Sequence, residues 1–149
     1  MDNDEYKRKY PNVKIGQMIN ERVKMNREIE FRGLTIGRNK WVFGSLILNK
    51  DSAHIYPIAT NTNYNVIPET VGEFTGLHDK YGNKIFEGDI IKNTLGLERI
   101  FYVVFNLGSF IGVYPNHKNY NYNLTCWANP NPHIEVIGNI YNNPGLISV

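Results

Sequence analysis

DIIKNTLGLERIFYVVFNLGSFIGVY, residues 89–114, contains three runs rich in β-branched and aromatic residues: DIIKN (89–93), ERIFYVVF (98–105) and SFIGVY (109–114). Only a few residues separate them. Thr94 to Leu97 holds Gly96, and Asn106 to Gly108 ends in Gly, so both breaks carry turn chemistry. Short strands at such close spacing predict an antiparallel sandwich or small barrel. The fold class expected is mainly β.

Outward from this stretch the same signals continue. YNLTCW (122–127) reads as a weak strand and HIEVIGNIY (133–141) as a strong one. Upstream, REIEFRG (27–33) alternates, with Ile29 and Phe31 on one face and Glu28, Glu30 and Arg32 on the other, as in a half-buried strand. KWVFGSLIL (40–48) is β-branched and aromatic. AHIYPIA (53–59) follows, and Pro57 makes that strand an edge or ends it. NTNYN (61–65) reads as a loop with a short strand near Val66, and NYNYN (119–123) as an exposed loop. Near the N-terminus, Ile15, Met18, Ile19 and Val23 mark one face of a short helix at 13–24. Gly16 weakens it, so the helix needs a surface to lie on, in its own chain or in a partner subunit.

A chain of 149 residues is about one domain and long enough to bury a core. Hydrophobic residues at 42% and charged residues at 20% describe a globular protein, not a disordered one. The net charge of +2 permits an anionic partner, but Lys7, Arg8 and Lys9 form the only dense basic run. The single cysteine, Cys126, excludes an internal disulfide and fits a reducing cytosol. No apolar run approaches the ~20 residues of a membrane span. The first dozen residues are charged and polar, so no secretory leader and a cytoplasmic location are expected.

The segment TGLHDKYGNKIFEGDIIKN (75–93) holds the densest set of candidate chemical groups. One reading is structural: Gly82 and Gly88 make tight turns, Phe86 plugs the core, and Asp89 accepts backbone amides at a strand start. A second gathers His78, Asp79, Glu87 and Asp89 into a metal or acid–base cluster, although their spacing matches no ligand motif. A third makes the loop a ligand contact without chemistry. Signatures of serine hydrolases, zinc proteases, phosphate-binding loops and dinucleotide folds are missing. Cys126, beside Trp127 in the weak strand, reads as a buried small hydrophobe, and the four histidines lack metal spacing. No cofactor, no metal and no enzymatic activity are expected.

Aromatic residues reach 13% of the chain. Most should pack between sheet faces, but Trp41, Tyr56, Tyr64, Tyr114, Tyr120 and Tyr122 are expected to stay partly exposed. There they could bury area at an interface or stack on bases, with neighbouring Arg and Lys on phosphates.

REIEFRG at 27, NKWVFGSLI at 39, PETVGEFTGLHDKYGNKIFEGDIIKN at 68 and IEVIGNIYNNPGL at 134 together resemble the YopX family of bacteriophage and prophage proteins. The likeness runs along residues 26–146. It implies a phage or prophage origin in a low-GC Gram-positive host, a mainly β fold and no established activity. It also implies an extension ahead of the β domain, which sets the expected division at 1–25 and 26–149; sub-lobes at 26–74 and 75–149 are a further expectation. The segment 53–66 and the loop after Tyr114 depart from the family pattern. Residues 75–141 are expected to form a small SH3-like barrel. The shared motifs make Trp41, Phe43, Thr75, Asp79, Glu87 and Asp89 candidate binding residues, and Gly76, Gly82 and Gly88 structural turns.

The function expected is that of a small non-enzymatic accessory protein, a homo-oligomer that binds a host protein or nucleic acid. A second reading is a counter-defence protein that sequesters a nucleotide-derived signal at a subunit interface. A third is an enzyme using the 78–89 carboxylates.

Overall fold

The computed structural model describes residues 3–9, 11, 27–115, 117, 121–128 and 132–148. The helix expected at 13–24 and Tyr120 lie outside them. A seven-residue helix, α1 (Asn3–Lys9), occupies the charged segment upstream.

Eleven strands follow among the described residues: β1 (Phe31–Leu34), β2 (Trp41–Asn49), β3 (Ser52–Tyr56), β4 (Tyr64–Val66), β5 (Gly72–His78), β6 (Lys84–Phe86), β7 (Asp89–Asn93), β8 (Arg99–Asn106), β9 (Ser109–Val113), β10 (Asn121–Asn123) and β11 (Ile134–Asn139). They form two antiparallel sheets. The first has the order β4-β3-β2-β1-β5-β6, the second β10-β9-β8-β7-β11. The sheets divide between Phe86 and Asp89, because β5 pairs with β1 and β6 with β5.

In the first sheet, consecutive hairpins β1 to β4 curl until β4 meets β1. Val66 bridges Thr35, the Ile36 amide bonds Asn65 O at 3.1 Å, and the Ile67 amide bonds Leu34 O at 2.9 Å. Val42, Ala53, Ile55 and Val66 fill the interior of this ring. Gly33 permits the closure, since a Cβ there would stand 2.8 Å from a Val66 methyl. The strand predicted at 53–59 ends at Tyr56, before Pro57, and is an inner strand between β2 and β4.

In the second sheet, β7, β8 and β9 form the meander legible at 89–114. The chain then adds β10, makes one helical turn, α2 (Thr125–Ala128), and returns β11 beside β7. Ile91, Phe101, Val103, Leu124 and Ile134 form its core, joined by Ile85 from β6. The β5–β6 hairpin thus belongs to the first sheet by hydrogen bonds and to the second by packing.

Four expectations are corrected. Residues 121–123 are an edge strand, not an exposed loop. The weak strand at 122–127 breaks at Leu124, because Asn123 Oδ1 accepts both the Thr125 amide (3.0 Å) and hydroxyl (2.8 Å) and starts a helical turn. Leu124 takes the buried position and Cys126 is exposed. In REIEFRG the alternation fails at two positions, Ile29, which is exposed, and Arg32, which is buried, while Phe31 packs on the core and Glu28 is exposed.

Candidate functional site

The residues singled out by motif lie mostly at the junction between the sheets, and Arg32 is its centre. Its side chain is 8% exposed, and Nη1 lies 2.6 Å from Oδ1 of Asp89, whose side chain is 3% exposed. Nη2 donates to Glu87 O at 3.1 Å. The guanidinium carbon sits 4.8 Å from the Trp41 ring and 5.1 Å from the Phe86 ring. Phe43 packs edge-on against Phe86, at 5.4 Å between centroids. Trp41 donates its indole N–H to Asn142 Oδ1 at 2.7 Å and faces Tyr141, whose hydroxyl donates to Glu69 O at 2.5 Å.

Asp89 also accepts the Phe86 amide at 2.8 Å, holding the β6–β7 turn. Gly88 has φ +85°, its amide bonds Val103 O at 2.8 Å, and a Cβ would meet Tyr141 Cε2 at 3.2 Å. Burial raises the Asp89 carboxyl above its ordinary range, and the Arg32 charge only partly offsets this. Burial, together with the Glu87 carboxylate, raises the Tyr141 phenol. An ion pair buried at the seam of two sheets joins them.

The other motif residues are also engaged. Asp79 accepts the Tyr81 and Asn83 amides (2.9 Å each), the Asn83 side-chain amide (3.0 Å) and the Val136 amide (3.2 Å). Burial works against its charge, but these bonds prevail and hold its carboxyl below the usual value. Asp79 therefore shapes the 79–83 turn and fastens it to β11. Thr75 donates to Ile85 O and accepts the Leu77 amide beside Gly76, where β5 is irregular. Gly76 and Gly82 have φ of +82° and +85°. The Glu87 amide and carbonyl are both bonded, to Glu73 O and from Arg32. Among the described residues, no three His, Cys, Asp or Glu gather as a metal-binding group.

A cleft lies elsewhere. Arg99, at the start of β8, points to the same side of the sheet as Phe101 two residues on. Tyr114, after β9, and Tyr122, in β10, each lie 5.5 Å from Phe101 between ring centroids. His117 stacks on Tyr114 at 5.5 Å with 19° between planes. Arg99, Tyr114, His117 and Tyr122 line a cleft of about 240 Å³. Arg99 is also a wall of two neighbouring clefts: one of about 240 Å³ with Leu95 and Leu97, and one of about 210 Å³ with Pro115 and Leu146. Among the described residues Arg99 makes no ion pair, whereas neighbouring Glu98 is paired with Lys92 at 3.1 Å.

Tyr114 and Tyr122 were expected to be half-exposed, and they are, as are Trp41, Tyr56 and Tyr64. Arg99 and His117 carried no local signal. Only the alternation Arg99, Phe101, Val103 could have placed Arg99 on the inner face of its strand.

The model of the family described as YopX protein matches residues 30–148. No curated protein matches the chain. Among solved structures, the chain is similar to protein EF1440 from Enterococcus faecalis, with a TM-score of 0.52 and 18% identity. That likeness covers 82% of this chain and 99% of the other, and concerns the fold. No helix among the described residues is long and apolar enough to cross a membrane.

Proposed function

This chain belongs to the YopX family, and from that premise we propose that it is a small non-enzymatic binding protein of a phage or prophage, working in the host cytoplasm. The observation that carries this reading is the contrast between the two regions just described. The carboxylates at 79 and 89 are consumed in hydrogen bonds and an ion pair that hold the fold. The cleft at the open end of the second sheet instead presents a guanidinium and aromatic rings. That combination suits recognition and, among the described residues, has no nucleophile–base pair.

The second sheet is read as an SH3-like barrel. Support comes from its order, β10-β9-β8-β7-β11, with a helical turn before the last strand returns to the first. A self-associated form, with segment 13–24 at the subunit contact, belongs to the same proposal.

The test is affinity purification from a bacterial host, with native mass spectrometry of what is retained, for the wild type and for Arg99→Glu. A ligand held by the wild type and lost from the variant is expected. Equal retention by both would remove the cleft from consideration.

A further inference from the structure

We propose that the Arg99 cleft seats a nucleoside phosphate, its base against the Tyr114 and Tyr122 rings and its phosphate on the Arg99 guanidinium. This deepens the binding reading above and rests on it.

Three observations converge. The first is charge. Arg99 is exposed, forms no ion pair among the described residues, and stands between three adjoining clefts. A guanidinium there offers a planar fork of donors that matches phosphate oxygens. Glu98, a wall of the cleft that Pro115 and Leu146 also line, is paired with Lys92 at 3.1 Å and does not line the cleft of Tyr114 and Tyr122.

The second is the aromatic frame. Tyr114 and Tyr122 are held from below by the buried Phe101, so their orientation is set by the core while their outer parts remain accessible. A rigid ring that is half-exposed beside a cation is the arrangement that stacks unpaired bases irrespective of sequence.

The third is size. At about 240 Å³ the cleft falls below pockets that enclose a whole drug-sized ligand, about 300–1,000 Å³. It admits one planar group and leaves the charged remainder at the rim, where Arg99 stands. The same chemistry occurs in a free nucleotide and in a single strand, and the neighbouring clefts on either side of Arg99 would accommodate the adjacent units of a strand.

The experiment is a titration of the ¹⁵N-labelled full chain, followed by NMR, with AMP, inorganic phosphate and an oligo-dT octamer. AMP and the octamer are expected to shift Arg99, Tyr114 and Tyr122 together, and phosphate alone chiefly Arg99. Binding to AMP without gain for the octamer assigns a free nucleotide; tighter binding of the octamer assigns a single strand. Either supports the proposal.

Tyr122→Leu keeps apolar packing on Phe101 but removes the stacking face, and should weaken octamer or AMP binding by about 5- to 150-fold. Arg99→Ala, at an exposed position, should weaken binding and lower the salt slope for the octamer by about 0.7, with part of the affinity restored in Arg99→Lys. Melting curves of the variants confirm that they are folded. No shift with any probe at millimolar concentration overturns the proposal, as does unchanged affinity in Arg99→Ala. Saturable binding of an acidic aromatic peptide with none of nucleotides also overturns it. An Arg99-dependent ligand of another class in the host purification would leave the broader binding reading standing without this one.

Discussion

Asp89→Asn tests whether the Arg32–Asp89 pair joins the two sheets. The amide retains the shape of the side chain and an acceptor for the Phe86 amide, which the carboxylate binds at 2.8 Å. It removes the charge 2.6 Å from Arg32 Nη1 and leaves a buried arginine side chain without a counter-charge. Removing one member of a buried pair costs about 3–5 kcal/mol. Contacts to Glu87 O and to the Trp41 and Phe86 faces persist in the variant and favour the lower end. For a chain of this length each kcal/mol moves the melting temperature by about 2–4 °C, so a loss of ~3 kcal/mol should lower it by roughly 6–12 °C. Urea denaturation of Asp89→Asn, Arg32→Met and the double variant completes a cycle. The double variant no longer buries an unpaired charge and should be more stable than Asp89→Asn alone, with a coupling of at least ~1 kcal/mol. A loss below ~1 kcal/mol in Asp89→Asn, or strict additivity in the cycle, would refute the reasoning.

Further predictions concern the turns, the carboxylates and self-association. Asp79→Asn should cost roughly 2–4 kcal/mol at pH 7, because one oxygen can no longer accept the Asn83 side chain and the Val136 amide. The folded carboxyl of Asp79 lies below its unfolded value, so its stabilisation is complete above that value and lost as pH falls through the folded one. Denaturation of wild type and variant should therefore converge as pH drops below about 4. Gly88→Ala should destabilise more than Gly82→Ala: both have φ of +85°, costing about 1 kcal/mol or more, but only at Gly88 does a Cβ press on Tyr141. Equal melting points would separate Gly88 from the junction. Calorimetric titration with Mg²⁺, Ca²⁺, Mn²⁺ and Zn²⁺ should show no stoichiometric site, since Asp79 and Asp89 already spend their oxygens on the fold. A micromolar site lost in Asp89→Ala would reverse that view. Light scattering should give an oligomer for the full chain and a smaller species for a chain starting at Met25; two monomers would refute self-association.

The candidate cleft was half legible. Tyr114 and Tyr122 stand out because a Tyr flanking a polar Asn-rich segment has nowhere apolar to go entirely. Arg99 and His117 did not, because their neighbours come from β8, β9 and β10, and nothing local relates those positions. Among the motif carboxylates, Asp89 is legible as an acceptor of a backbone amide at a strand start, and the structure gives it the Phe86 amide. The bonds of Asp79 to Tyr81, Asn83 and Val136 depend on the folded turn and on β11, which no local pattern relates to it.

What the sequence determined by itself was the meander. In residues 89–114 the β-branched runs, the turn glycines and the short spacing are all local, and each demands the same antiparallel pairing. Tertiary structure decided the rest. GEFTGLH and KIF have two glycines and no alternating run between them; the first becomes β5 because β1 offers it a free edge, and the second becomes β6 on the edge of β5. Arg32 follows a polar alternation that assigns it to solvent, and is buried because Asp89, 57 positions further along the chain, supplies the opposite charge there. Alternation within a strand reports which side chains share a face, and cannot report which face the remainder of the chain will cover.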